Sequence, residues 1–292
     1  MPDGRPTPQE LLEIAVTVAR QAAATARRMR AEGVAEVATK STATDVVTAA
    51  DRAVERQVVE SIRRLRPRDR VLGEEFGPAG GGEAPAAGEE PTGGGRPAAA
   101  PAGGPGAVRW IVDPIDGTVN YLYGLPHYAV SLAAEVDGEV VAGVVRNAAT
   151  EDEWTATRGG GAYRAGRRLR GSTETDLAQS LVATGFGYDP VRRAHQGRVL
   201  ARLIDQVRDI RRFGAAALDL CLAAEGMVDA YFERGLQPWD LAAGGLVARE
   251  AGLRVAGLSG APAGPDLVIA APPAIFKPLH DRLVRLDAAG GP

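Results

Sequence analysis

The chain of 292 residues is almost without cysteine: Cys221 stands alone. An internal disulfide is therefore not available, and a reducing, cytoplasmic setting is expected. Leu218, Leu220 and Leu222 surround the thiol with an apolar stretch, so it reads as a small core hydrophobe. Histidine is scarce too, with three residues. His127, His195 and His280 lie far apart and show no ligand spacing, which argues against a zinc centre. A basic excess is also missing. The formal charge of -3 and pI near 5.8 argue against nucleic acid or an anionic membrane as the main partner. The run Arg63-Arg64-Leu65-Arg66 reads as a solvated helix face. No apolar run reaches the roughly 20 residues of a membrane span. The opening Met1-Pro2-Asp3-Gly4-Arg5 lacks the basic-then-apolar pattern of a signal peptide.

What remains is ordinary globular material, 45% apolar and 24% charged, enough for one large domain or two modest ones. Residues 8–30 are rich in Ala, Leu, Glu and Arg without internal Gly or Pro, and they predict a long helix ended by Gly33. A second helix starts near Thr48, where Thr48 and Asp51 have capping-box spacing. Val54, Val58, Ile62 and Leu65 share its apolar face, and Pro67 closes it. Asp51 thus falls in the first turn, where the helix dipole favours an anion. Residues 77–106 are nearly all Gly, Ala, Pro and Glu, which predicts a mobile surface insertion.

Order resumes with a buried strand at 108–112. Two alternating runs, 128–136 and 139–145, flank Asp137-Gly138 and predict a hairpin. A strand near Trp154, helices at 196–207 and 215–224, and a strand at 229–232 follow. A helix opened by Asp240 and ended by Gly252 precedes a last strand at 267–270. The pattern is a mixture of α and β with antiparallel hairpins.

The most informative segment is Asp113-Pro114-Ile115-Asp116-Gly117-Thr118, with Asn120 just after it. Proline restricts the residue before it, so Asp113 is expected extended at a strand end. Two carboxylates three residues apart across a proline turn can point into one space, and Gly117-Thr118 can open a helix whose N–H groups face an anion. Such a site would hold a hard dication against a phosphate. With this segment the chain resembles the inositol monophosphatase family of lithium-sensitive, magnesium-dependent sugar phosphatases. Three further elements match in the family's order: Lys40 with the stretch from Asp45 to Asp51, Gly73-Glu74-Glu75, and Trp239-Asp240-Leu241-Ala242-Ala243-Gly244 extending to Glu250-Ala251-Gly252.

The resemblance implies a mixed α/β, layered αβαβα sugar-phosphatase fold in a single catalytic domain over 1–292, its halves lying near 1–150 and 151–292. It implies that Glu74, Asp113, Asp116, Asp240 and the main-chain oxygen of Ile115 bind magnesium, two or three ions per site. Thr118 and Asp51 are implied to orient and help deprotonate the attacking water, with Gly117 and Thr118 holding the phosphate. Gly214, Ala215, Ala216 and Glu233 are implied to meet the substrate, together with Glu74, Ile115, Asp116 and Asp240. Lys40, one of two lysines beside Lys277, is expected near the metals.

The implied reaction is hydrolysis of a small phosphomonoester, myo-inositol 1-phosphate first, by a cytoplasmic homodimer. Glu233 and Gly185-Phe186-Gly187-Tyr188 favour that type over histidinol-phosphate, fructose-1,6-bisphosphate or nucleotide phosphatases with the same metal core. A regulatory module retaining the fold is the remote alternative, disfavoured because crowded carboxylates repel one another without a cation. A haloacid-dehalogenase-type site is excluded by spacing, since its two aspartates are separated by one residue. Two departures stand out. Ala215 brings no hydroxyl where relatives often have Ser or Thr, and the insertion after Glu75 is expected to leave Glu74 on a loose loop.

Overall fold

The computed structural model describes residues 5–34, 37–40, 46–79 and 106–291. Helix α1 (Pro8–Glu32) opens with a complete capping box between Thr7 and Glu10 and ends at Gly33, as its composition predicts. Its buried face is nearly all alanine, with Ala15, Ala19, Ala22 and Ala26 spaced three to four apart, which lets it lie close to the sheet beneath. The short strands β1 (Ala38–Thr39) and β2 (Val46–Val47) lead to α2 (Ala49–Leu65), again with a complete capping box, here Thr48 with Asp51. Then come β3 (Arg70–Gly73) and β4 (Gly77–Ala79). The beginning of the expected insertion is therefore an edge strand, antiparallel to β3; residues 80–105 lie outside the described residues.

Strand β5 (Val108–Asp116) runs four residues beyond the predicted end, straight through Pro114. After it come α3 (Thr118–Tyr123), β6 (Ala129–Val136), β7 (Glu139–Asn147), β8 (Glu153–Thr157), β9 (Gly161–Arg164) and β10 (Arg167–Arg168). The turn at Asp137 and Gly138 has positive φ at both residues, the geometry that suits the twist of a tight hairpin. The second half holds β11 (Leu181–Thr184), α4 (Pro190–Leu203), β12 (Asp209–Arg211), α5 (Ala216–Glu225), β13 (Ala230–Glu233), α6 (Pro238–Glu250), β14 (Arg254–Ala256), β15 (Val268–Ala271) and α7 (Pro273–Arg285). Helix α4 starts six residues earlier than predicted because Asp189 caps it and Pro190 takes its first position.

Among the described residues β1 and β2 pair as a separate two-stranded sheet, and two larger sheets organise the other strands: an eight-stranded one in the order β10-β9-β8-β7-β6-β5-β3-β4 and a five-stranded one in the order β12-β11-β13-β15-β14. Alternation along the strands separates three cores. Trp110 and Val112 join Val130, Leu132 and Val144 against α1 and α2. Ile111, Ala133 and Val145 face the other way, onto a core shared by α5, α6 and the second sheet's Ala183, Tyr231 and Ala270. Val182, Ala230, Phe232 and Ile269 pack against α4 and α7. The layers are thus αβαβα, with Cys221 fully buried in the middle one. That layer is tight: a Cβ on Gly244 of α6 would stand 3.0 Å from the Ala217 carbonyl of α5.

Candidate active site

Residues i and i+3 of a regular strand face opposite sides of a sheet. Strand β5 escapes this at its end. Asp113 pairs with Ser131 and Asp116 with Ala129, three steps on one strand against two on the other. This is a bulge, placed where Pro114 has no N–H to give the ladder, and it brings both carboxylates to one side. Asp113 accepts the Ile115 N–H at 3.0 Å. Asp240, in the first turn of α6, accepts the Gln237 N–H at 2.6 Å. Carboxylate oxygens of Asp113, Asp116 and Asp240 all lie within 4.8 Å of one another.

Asp116 is held from across the molecule. Its two oxygens accept the N–H groups of Ala216 at 3.1 Å and Ala217 at 2.8 Å, the free donors of α5's first turn. Helix α5 has no side-chain cap of its own, so the aspartate satisfies donors that would otherwise be orphaned. Sequence reading missed Ala217. The available signal was a helix start, Gly214-Ala215-Ala216-Ala217, without a Ser, Thr, Asp or Asn, which demands an acceptor from elsewhere.

Burial raises the proton affinity of all three carboxylates, and for Asp113 and Asp240 the charges of the neighbours add to it. Asp113 is pushed well above the carboxylate range by burial, then by the charges of Glu74, Asp116 and Asp240. Asp240 is raised likewise by burial, then by Glu74 and Asp116. Burial carries Asp116 up to about 7 against the opposing Ala217 N–H.

Thr118 follows Gly117, whose φ of 87° is a left-handed conformation that costs little only at glycine. The Thr118 hydroxyl lies 3.1 Å from Asp51 Oδ1 and 3.1 Å from the Ile115 carbonyl; its single proton serves one acceptor at a time. Asp51 is fully buried, and its other oxygen takes the Thr48 N–H at 2.8 Å and hydroxyl at 2.6 Å. Burial raises the Asp51 carboxyl despite these Thr48 donors. Thr118 thus stands between a buried carboxylate and open space.

That space is a cavity of ≈ 550 Å³ whose wall includes Lys40, Glu74, Asp113, Ile115, Asp116, Gly117, Thr118, Gly214, Ala216, Glu233 and Asp240. Most of the residues implied by the resemblance therefore converge. Glu74 lines the cavity, with its carboxylate oxygen 2.7 Å from Lys40 Nζ. Ala215 is placed otherwise: it is buried and packs with the middle core. Glu233, at the end of β13, accepts the Tyr231 hydroxyl at 2.6 Å and is pushed by burial to about 7. The histidines stay off this wall; His127 pairs with buried Asp219 at 3.1 Å. Arg192, Arg212 and Gln237 line the cavity and went unremarked in the sequence, since nothing local marks a solvent-facing arginine as part of a pocket.

An αβαβα stack with clustered aspartates at a bulged strand end defines the layered sugar-phosphatase class of folds. The chain belongs to the inositol monophosphatase family, whose profile matches residues 7–285. It is 42% identical to the inositol-1-monophosphatase of Mycobacterium leprae, over 96% of this chain and 95% of that one. It is 37% identical to the Nus factor SuhB of Escherichia coli, over 86% of each. The solved structure of Mycobacterium tuberculosis SuhB superposes with a TM-score of 0.77 at 37% identity, covering 99% of this chain and all of that one.

Proposed function

We propose that the protein is a magnesium-dependent phosphomonoesterase of small phosphorylated polyols, with myo-inositol 1-phosphate as its first substrate. The observation that carries this reading is the convergence of the aspartate cluster and the Thr118–Asp51 pair on one cavity. The donor set suits the ion. Asp113, Asp116, Asp240 and Glu74 offer only hard oxygens, which magnesium prefers, and their mutual repulsion is relieved by a cation. Magnesium, when bound, supplies positive charge against the phosphoryl group and the departing oxygen.

The chain's own residues do the rest. With its proton directed to Asp51, the Thr118 hydroxyl offers a lone pair that orients a water and receives its proton. Burial raises the proton affinity of Asp51, which suits it as the group behind that relay. Glu233, oriented by the Tyr231 hydroxyl, accepts a hydrogen bond from a substrate hydroxyl across the cavity. The volume fits a small phosphorylated metabolite, within the few hundred to about 1,000 Å³ common for such sites.

The deciding experiment is phosphate release from a panel of inositol, histidinol, fructose and nucleotide phosphates with and without magnesium. Expected is turnover that needs magnesium, is fastest on inositol 1-phosphate, is slowed by millimolar lithium, and belongs to a dimer in sedimentation. The name of the E. coli relative makes a regulatory reading the natural rival. Absence of magnesium-dependent release from every member of the panel would decide for that rival.

Metal and pH are linked in a definite direction. Without a cation, burial pushes the Asp116 carboxyl up to about 7, against about 4 in an unfolded chain. Its stabilising contribution is fully present below the unfolded value and is lost as pH rises through the folded one. Magnesium needs the ionised form, so its rise in melting temperature should be small at pH 5 and large at pH 8. A rise independent of pH would contradict a carboxylate-held ion.

A further inference from the structure

Glu55 lies on α2 one turn after Asp51 and is fully buried. Its two carboxylate oxygens accept the N–H groups of Glu75 at 2.8 Å and Phe76 at 3.0 Å. These are consecutive peptides of the turn between β3 and β4, the turn that carries Glu74. Gly73, before the turn, has no Cβ, and one built there would overlap the Glu55 carboxylate. The loose loop expected after Glu74 is thus, at its near end, a turn gripped from beneath.

The choice of residue is informative. Burying a carboxylate is costly, and packing alone would be met by glutamine of nearly the same volume. Glutamine has one acceptor oxygen, however, and only a carboxylate can receive two adjacent N–H groups with two oxygens. Lys40 Nζ donates to the Glu74 carboxylate at 2.7 Å. Helix α2 therefore carries Asp51 and, four residues on, the group that fixes where Glu74 stands. We propose that Glu55 is a positioning residue, which presents Glu74 to the magnesium site by fixing the backbone of its turn. The inference rests on the metal-dependent reading given above.

The test is calorimetric titration of magnesium, without substrate, into metal-free wild-type, Glu55→Gln and Glu55→Asp proteins, with steady-state kinetics and amide hydrogen exchange alongside. Loss of a group that orients a metal ligand typically costs 10–100-fold in metal affinity, and about 10-fold is expected for Glu55→Gln. The magnesium needed for half-maximal activity should rise by the same factor, KM at saturating magnesium should hold, and the Glu75 and Phe76 amides should exchange faster. Glu55→Asp should fall between, and it decides by the same criterion if the glutamine variant does not fold. A variant with wild-type magnesium affinity and only a lower melting temperature would overturn the positioning role. If the wild type itself binds no magnesium, the proposed function falls with it.

Discussion

Asp113→Asn is expected to lower magnesium-dependent phosphate release by on the order of 10³-fold, with Asp240→Asn doing the same; removing a single preorganised charge-stabilising group already costs that much in other active sites. Asparagine keeps the shape and one neutral oxygen at the site. It loses the charge that attracts a dication, and its amide hydrogens turn a donor toward the cluster. The fold is not expected to suffer. Both carboxyls are raised by burial and by their neighbours' charges, so the folded state without metal is opposed by ionising them. Each asparagine variant should therefore melt higher than wild type at pH 8 without magnesium; for a chain of this size, ~1 kcal/mol corresponds to a few degrees. Activity and melting curves together separate the possibilities. Near-normal turnover in either variant would sink the metal cluster, and a collapsed melting temperature would mean that activity was lost through unfolding.

Thr118→Ala is the second large effect. General-base assistance is commonly worth 10²–10⁴-fold, and a fall in kcat of that order is expected with magnesium affinity retained. Asp51→Asn should match it in kcat. It should also lose stability of about 1 kcal/mol, the usual worth of a helix cap, because the same carboxylate accepts two donors from Thr48. Thr118→Ser, which keeps the hydroxyl, should restore most of the rate. Since the two side chains act as a unit, the double variant should be little slower than the slower single one. Rates that multiply fully would show that Thr118 and Asp51 act independently, against the 3.1 Å contact between them.

Much of the architecture was legible because it is written in short-range patterns. The composition of residues 8–30 announced the first helix and Thr48 with Asp51 the second, and the Thr48 capping box is formed. Asp137-Gly138 announced its hairpin through the backbone conformation that it tolerates. Errors fell where a local rule met tertiary context. Pro114 suggested that the strand stopped, yet β5 continues to Asp116 because a bulge absorbs the missing donor. Residues 77–79 look like spacer by composition, but β3 offers them an edge to pair with.

The aspartates that opened the functional argument show the division most clearly. The sequence alone supplied their residue types, hard oxygen donors with a Gly-Thr after them and a second acidic motif near Trp239, and with those motifs the resemblance to the inositol monophosphatase family. Which groups hold them was decided only by the tertiary structure. Asp116 is gripped by amides 100 residues away, and Thr118 meets a carboxylate 67 residues away. Glu55 reaches a backbone amide 20 residues later. A sequence pattern encodes residue type and local backbone geometry, and these repeat over a few residues. Hydrogen bonds across such separations depend on sheet register, helix placement and the absence of a Cβ at Gly73, and these are set only when the layers pack.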